Sequence, residues 1–234
     1  MAAMAANPLA CATCPVRDRA ACAALTEEER DELARLGRRR RLERGETLFA
    51  AGDENNLCAT LIRGALKISS FEEDGTEHIL SLVHPAGFVG ELFAPLAHYD
   101  FVALTESELC VFSRPEYEDA VTRFPALGRA LLRRSSEDLF ASRALLASMG
   151  NRSAGQRVAS FLLAMANAAS ESPCHPAGSF QLMVTRGEMA SLLGLTIETV
   201  SRQLTRLQDD GVIARSGARG IDLVDAARLQ ALAA

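Results

Sequence analysis

The spacing of the apolar residues changes twice along this chain of 234 residues, from helical to strand-like and back to helical. These changes limit the folds that the chain can adopt. From about residue 42 to residue 112, short alternating segments are separated by turns rich in glycine. Residues 61–68 and 78–83 are two of the predicted strands. Short strands with glycine turns at this spacing predict a small antiparallel barrel or roll.

Two helical signals flank the predicted roll. Residues 26–29 form a capping box that predicts a helix ending near Gly37. The basic run at residues 38–41 is interpreted as the solvated end of that helix rather than a phosphate site, because no glycine-rich or aromatic residues accompany it. On the other side of the roll, residues 114–116 open a second helical region.

A long helix is predicted from about Pro125 to Gly150, and its apolar stripe is narrow. A helix in a globular core normally shows a wider apolar face, whereas residues alternating by three and four are typical of a contact between two helices. The pattern therefore predicts a homodimer interface. Its residues are Leu132, Ser135, Leu139, Ser142, Leu146 and Met149.

The last third of the chain contains two helices joined by a tight turn. After a hinge at residues 150–152, a helix at 154–169 and a loop at 170–179, a second capping box at residues 185–188 opens a short helix over 188–193. Gly194 breaks this helix, and another runs from Thr196 to Leu207. This is a helix-turn-helix pattern, whose second helix enters the major groove of double-stranded DNA.

Exposed residues of this second helix have the chemistry of base readers. Glu198, Ser201 and Arg202 share one helical face; arginine can donate twice to guanine, glutamate can accept from cytosine, and serine can contact either kind of group. Residues 212–223 predict a strand–turn–strand wing. The predicted contacts to the DNA backbone are Thr185, Arg186, Thr196, Thr199, Arg206, Arg215 and Arg219.

Three cysteines lie close together at the N-terminus. Cys11, Cys14 and Cys22 have no strand or helix pattern around them, and thiolates at such spacing share a metal centre. Zinc and an iron–sulfur cluster both normally take four ligands, so one ligand is missing from this set. Cys58 is predicted to be a core residue, and Cys174 a surface thiol.

Composition excludes several classes of function. The chain has 48% hydrophobic residues and a net charge of −5, without an apolar run long enough for a membrane span. Its N-terminus lacks the pattern of a signal peptide, so we expect no membrane association and a cytoplasmic location, where clustered cysteines indicate metal or redox chemistry. No Ser/His/Asp constellation, glycine-rich phosphate loop or HExxH motif is present, and we expect no enzyme activity.

In the order of these features, the chain resembles the CRP/FNR family of bacterial transcription regulators. The resemblance implies an α+β fold, with an N-terminal antiparallel β-roll like those that bind cyclic nucleotides, a long dimerisation helix and a C-terminal winged helix-turn-helix. The expected domains are a cysteine-rich cluster-binding segment (1–24), a β-roll sensor (25–124), the dimerisation helix (125–150) and the DNA-binding domain (151–234). Gln203 departs from the family, which usually has an aliphatic residue there.

Within the family, residues 185–207 and the cysteines are most similar to the FNR branch. This implies a [4Fe–4S] cluster with Cys110 as the fourth ligand, oxygen sensing, TTGAT-type palindromes as DNA sites and RNA polymerase as a partner. The spacing between Cys14 and Cys22 resembles FnrN- and FixK-like members. Zinc, or a cluster-free regulator controlled by thiol oxidation, abundance or a small-molecule effector, remains an alternative.

Cyclic nucleotide is not expected in the roll. The Gly90–Glu91 pair of the nucleotide-binding branch is present, but residues 98–101 read His-Tyr-Asp-Phe instead of supplying an arginine for the phosphate.

Overall fold

A computed structural model describes residues 9–170, 175–217 and 219–234. The chain forms two compact units, Met1–Phe140 and Ala141–Ala234, and the boundary between them falls within a long helix. In the described ranges, no helix combines the length and the apolar character that crossing a bilayer requires.

The first unit begins with the cysteine-bearing segment and a capped helix. The segment contains two short 3₁₀ turns, Cys11–Thr13 and Ala21–Ala24, before helix α1 at Glu27–Leu36. The predicted capping box is confirmed, because Thr26 Oγ1 accepts from the backbone N–H of Glu29 at 3.2 Å and the Glu29 carboxylate accepts from that of Thr26 at 3.0 Å.

Two four-stranded antiparallel sheets follow and confirm the predicted roll. Their orders are β1-β8-β3-β6 and β2-β7-β4-β5. Apolar side chains of both sheets, such as Leu61 and Leu66, are fully buried between them. The strands are β1 Gly37–Leu42, β2 Thr47–Phe49, β3 Leu57–Arg63, β4 Leu66–Phe71, β5 Glu77–Val83, β6 Phe88–Val89, β7 Asp100–Ala103 and β8 Ser107–Ser113.

Two expectations about this unit were wrong. The arginines at 38–41 do not end a helix but lie in β1, where Arg39 pairs with Cys110 across to β8 and its guanidinium binds Glu108 at 2.5 Å. Residues 61–68 are not one strand, because Gly64 adopts a φ of +89° and ends β3 before β4 begins at Leu66. Local alternation continues across this turn, so the break was not visible in the hydrophobic pattern.

Helices α2 (Arg114–Arg123) and α3 (Pro125–Asn151) confirm the helical region predicted after the roll. In its first turns α3 buries Leu127, Ala130 and Leu131 in a core cluster that also contains Tyr117 of α2. This packing anchors the N-terminal end of α3 to the first unit.

The second unit is a helix-turn-helix with a three-stranded sheet, as predicted in outline. Helix α5 begins two residues earlier than expected, and Gly194 follows it in the left-handed conformation with a φ of +59°. Strand β9, which takes up Ser179 from the predicted loop, and helix α7 were not predicted. The elements are α4 Ala154–Ala169, β9 Ser179–Gln181, α5 Arg186–Leu193, α6 Ile197–Asp209, β10 Ile213–Ser216, β11 Gly220–Leu223 and α7 Ala226–Ala233.

Candidate functional site

Four cysteines of the first unit, three from its N-terminal segment and one from a strand distant in sequence, line one cavity. Cys11, Cys14 and Cys22 come from the N-terminal segment, and Cys110 comes from the middle of β8. The cavity has a volume of about 40 Å³, more than the ~10–15 Å³ that a single water needs. Its other walls are mostly apolar, including Val16. The structure thus brings together the three clustered cysteines and the fourth one that the family resemblance indicated.

The surroundings of three of these thiols favour the protonated form. Burial raises the pKa values of Cys11, Cys22 and Cys110, and the neighbouring cysteines raise them further. The guanidinium of Arg30 acts in the opposite direction on Cys11 and Cys22, as Arg39 does on Cys110. A bound metal cation reverses this balance, because it coordinates the thiolate and displaces the proton.

Arg30 holds the cysteine-bearing segment against α1, and the sequence interpretation had missed it. Its side chain is buried, its Nε donates to the Cys22 carbonyl oxygen at 3.2 Å, and its Nη2 donates to that of Leu25 at 3.1 Å. A signal was available, because Arg30 precedes Leu33 by three residues and therefore lies on the apolar face of α1.

The donor set suits a sulfur-ligated metal group. Four thiols in a largely apolar cavity match the ligands that zinc and iron–sulfur clusters take. Across the part of the chain that the structure describes, no three Cys, His, Asp or Glu side chains converge closely enough to hold a single metal ion.

Cys58 differs from these four. It is completely buried on β3, as predicted, beside Phe112 and Tyr117 in the core. Burial, with a contribution from Glu118, raises its pKa to about 12. Such a thiol is unreactive at neutral pH. Cys174 lies outside the described residues.

The carboxylate that resembles a nucleotide-binding group is engaged within the protein. Glu91 accepts hydrogen bonds from the backbone N–H and the imidazole Nδ1 of His98. The buried Asn55 amide donates to the carbonyl oxygens of Glu91 and Ala94, which fixes this loop. His98 thus occupies hydrogen-bonding positions of the Glu91 carboxylate.

Helix α6 exposes the predicted base readers and buries its opposite face. Glu198 and Arg202 are exposed and Ser201 is half-buried, whereas Val200 and Leu204 are buried against the rest of the second unit. This division sets the polar face of α6 toward solvent, as a recognition helix requires.

The first turn of α6 is organised by hydroxyl groups. Thr196 Oγ1 accepts from the Thr199 backbone N–H at 3.2 Å, and Arg202 Nη2 donates to Thr199 Oγ1 at 3.2 Å. Arg202 is thus bonded to Thr199. The pKa of Glu198 is lowered by its own backbone N–H, then by the Thr196 hydroxyl and by Arg202, so it remains ionised at neutral pH.

Several predicted backbone-contacting residues line one cleft beside α6. The cleft has a volume of about 490 Å³, and Thr185, Arg186, Arg215 and Arg219 are among its lining residues. Arg186 Nη1 also donates to Ser201 Oγ at 3.4 Å, which links the cleft to the base-reading face. The concentration of guanidinium groups here is suited to phosphate contacts. Arg206 projects from α6 and lies 3.8 Å from the Asp210 carboxylate.

Contacts around the turn between α5 and α6 were not foreseen. Arg157 of α4 donates through Nη1 to the carbonyl oxygens of Leu193 and Gly194, at 2.8 and 3.4 Å. A Cβ placed on Gly194 would lie 3.9 Å from Met149 Cε, so this predicted interface residue also borders the turn. Gln203 lies against Gly155, where a Cβ would approach its Oε1 to 3.1 Å.

The predicted dimer seam is open to solvent in the single chain. Leu132, Leu139, Leu146 and Met149 are exposed, as are the two serines of the seam. Phe140, which the heptad pattern did not include, is 74% exposed next to them. Exposed apolar side chains on one face of a helix are typical of an interaction surface.

The comparisons with known proteins agree with this arrangement. Residues 39–124 match the model of the cyclic nucleotide-binding domain, and residues 156–232 that of the Crp-like helix-turn-helix domain.

Named bacterial relatives extend the similarity to nearly the whole chain. The transcriptional activator protein FnrL of Cereibacter sphaeroides is 34% identical over 94% of this chain and 90% of its own length. The nitrogen fixation regulation protein FixK of Bradyrhizobium diazoefficiens is 31% identical over 96% and 94%. The solved structure of FixK2 from Bradyrhizobium japonicum superposes with a TM-score of 0.77 at 26% identity, over 85% of this chain and 98% of that one. The roll, the long helix and the helix-turn-helix are therefore those of a DNA-binding regulator, and the chain belongs to the CRP/FNR family of transcription regulators.

Proposed function

We propose that this protein is an oxygen-responsive transcription regulator of the FNR type, which binds DNA as a homodimer while an iron–sulfur cluster is held by Cys11, Cys14, Cys22 and Cys110. The observation that carries the proposal is that these four thiols line one cavity although Cys110 is far from the others in sequence. The likeness to FnrL and FixK, an activator and a nitrogen fixation regulator, supports a regulatory role.

The four thiols that line the cavity suit either a cluster or a zinc ion, and the likeness to FnrL and FixK favours the cluster. A bound [4Fe–4S] cluster would supply reactivity toward oxygen. The residues of the chain supply the ligands, an apolar wall that limits access of water, and the Arg30 guanidinium, which offsets part of the negative charge of thiolates.

The dimer and its DNA site follow from two exposed faces. The α3 seam would pair with that of a second copy, and the pair would then present two α6 helices to successive major grooves about 34 Å apart. In the proposed complex, Glu198, Ser201 and Arg202 read a TTGAT-type half-site, and the cleft beside α6 contacts phosphates. Promoter-bound dimers would act on RNA polymerase in the cytoplasm.

The cluster is tested by isolating the protein without oxygen and measuring iron, sulfide and visible absorption. We expect four irons per chain and absorption that bleaches in air. Cys110→Ser should abolish both, whereas Cys58→Ser removes a buried thiol that does not line the cavity and should retain the cluster. Colourless, iron-free wild-type protein would refute the cluster and leave thiol oxidation, abundance or a small-molecule effector as the control; zinc in its place would identify the other metal.

DNA reading is tested by comparing two arginines of α6. Arg202→Ala should cost about 1–3 kcal/mol at the guanine of the half-site and relax selectivity there. Arg206→Ala should instead weaken binding to all sequences alike and lower the salt dependence by about one counterion. Unchanged selectivity for TTGAT over a half-site with that guanine replaced, in the Arg202 variant, would contradict the assignment.

A further inference from the structure

One hydrogen bond joins the cysteine-bearing segment to the long helix. Arg134 Nη2 of α3 donates to the carbonyl oxygen of Arg19 at 2.8 Å. Arg19 belongs to the turn between Cys14 and Cys22, in which the backbone N–H groups of Arg19 and Ala20 both donate to the Val16 carbonyl, at 3.1 and 2.9 Å. The bond therefore contacts the turn of the segment that lies between Cys14 and Cys22.

This bond crosses an otherwise open cleft. The cleft has a volume of about 320 Å³, and Asp18, Arg133 and Glu137 are among its polar lining residues. At its base, Ala21 and Leu25 belong to the same buried cluster as Ala130 and Leu131 of α3. Apolar packing therefore holds this part of the chain near α3, and the bond from Arg134 adds a directional polar contact above it.

Arg134 lies on the face of α3 opposite the seam. Successive helical residues are separated by about 100°, which places Ala130 and Arg134 on one side and Leu132 and Leu139 on the other. One turn of helix therefore carries the contact to the cysteine segment on its inner face and the predicted dimer contacts on its outer face. Movement of the segment would disturb the same turn that a partner helix must meet.

We propose that Arg134 is a positioning residue that couples the closed cysteine segment to the dimer seam of α3. The segment is called closed when residues 9–25 lie against α3 as they do in this structure. The inference rests on the proposed function, because it assumes that the seam binds a second copy of the chain. It assigns the coupling to one guanidinium–carbonyl bond. Coupling between two equilibria is reciprocal, so dimerisation must stabilise the closed segment to the same degree that the closed segment stabilises the dimer.

Reciprocity allows a test with the full chain whether or not metal is bound. Hydrogen exchange of residues 9–25 is measured in the dimeric wild-type protein and in a Leu139→Asp monomer, which places a charge in the seam. Both are compared with the same pair carrying Arg134→Ala. Arg133→Ala is the matched control, since it removes the same charge at the next position, from a side chain that lines the same cleft.

We expect dimerisation to slow exchange of residues 9–25 in the wild type and in the Arg133 variant. In Arg134→Ala this effect should shrink by about tenfold, the size expected for one hydrogen bond from a charged donor. Equal loss of protection in monomer and dimer would show a purely structural role, and an equal effect of Arg133→Ala would show a general charge effect; either result overturns the proposal. A Leu139→Asp protein that stays dimeric refutes the seam itself, which separates failure of the proposed function from failure of the role of Arg134.

Discussion

Replacing Arg30 by methionine should destabilise the first unit by about 2–3 kcal/mol, because it removes two hydrogen bonds from a charged donor. The bonds run to the carbonyl oxygens of Cys22 at 3.2 Å and Leu25 at 3.1 Å, and the side chain is only 8% exposed. Two such bonds would give about 3–6 kcal/mol if fully lost. The Cys22 carbonyl keeps the Leu25 N–H as a partner at 3.3 Å, and methionine avoids desolvation of the guanidinium, so the lower figure is expected.

The measurement is urea unfolding of reduced, metal-free protein, followed through pulsed thiol labelling of Cys58. Cys58 is completely buried in the first unit and reacts only after that unit opens, so it reports the relevant transition. Arg35→Met is the matched control, since Arg35 is an exposed arginine near the end of the same helix and its loss should change stability by no more than about 0.5 kcal/mol. A loss below about 0.5 kcal/mol in Arg30→Met, or an equal loss in the control, would refute the clamp.

Two further predictions concern pH and helix capping. Burial raises the pKa of Cys58 from 9.0 to about 12, so between these values the folded protein keeps a proton that the unfolded chain releases. The free energy of unfolding should therefore fall as pH rises through this window, and Cys58→Ala should flatten the fall in urea titrations made below and above pH 9. Thr185→Ala removes the hydroxyl that accepts from the Glu188 N–H at 3.1 Å and should destabilise the second unit by about 1 kcal/mol in thermal unfolding. Thr205→Ala, at an exposed position within α6, should have less than half this effect if capping is the cause.

Helix boundaries were predictable where a capping residue and an apolar period coincide. The boxes at Thr26 and Thr185 located α1 and α5 to within two residues, and Gly194 ended α5 as expected. These signals depend on neighbours three or four positions away, so they are readable without tertiary structure. Strand β9 has only three residues and one buried side chain, Phe180, and its pairing with β11 is long-range, so no local pattern announced it.

The basic run at residues 38–41 shows how sheet pairing overrides local appearance. Four consecutive arginines resemble a solvated helix end, yet β1 forms because β8 offers it a partner strand and Glu108 offers a counter-charge to Arg39. Arg30 and Arg134 were also overlooked, because each acts on a backbone carbonyl of the N-terminal segment. A carbonyl acceptor is present at every residue and leaves no signature in sequence.

The amino-acid sequence alone determined the order of the roll, the long helix and the helix-turn-helix, the narrow apolar stripe of α3 and the three clustered cysteines, since each is a pattern among near neighbours. The family resemblance indicated Cys110, but its own surroundings describe only a cysteine in a strand. The tertiary structure decided that β8 carries this thiol to the same cavity as Cys11, Cys14 and Cys22, and that Arg134 links their segment to α3. Contacts of this kind form only when the sheets and helices pack together, because packing brings residues that are far apart in the sequence close together in space.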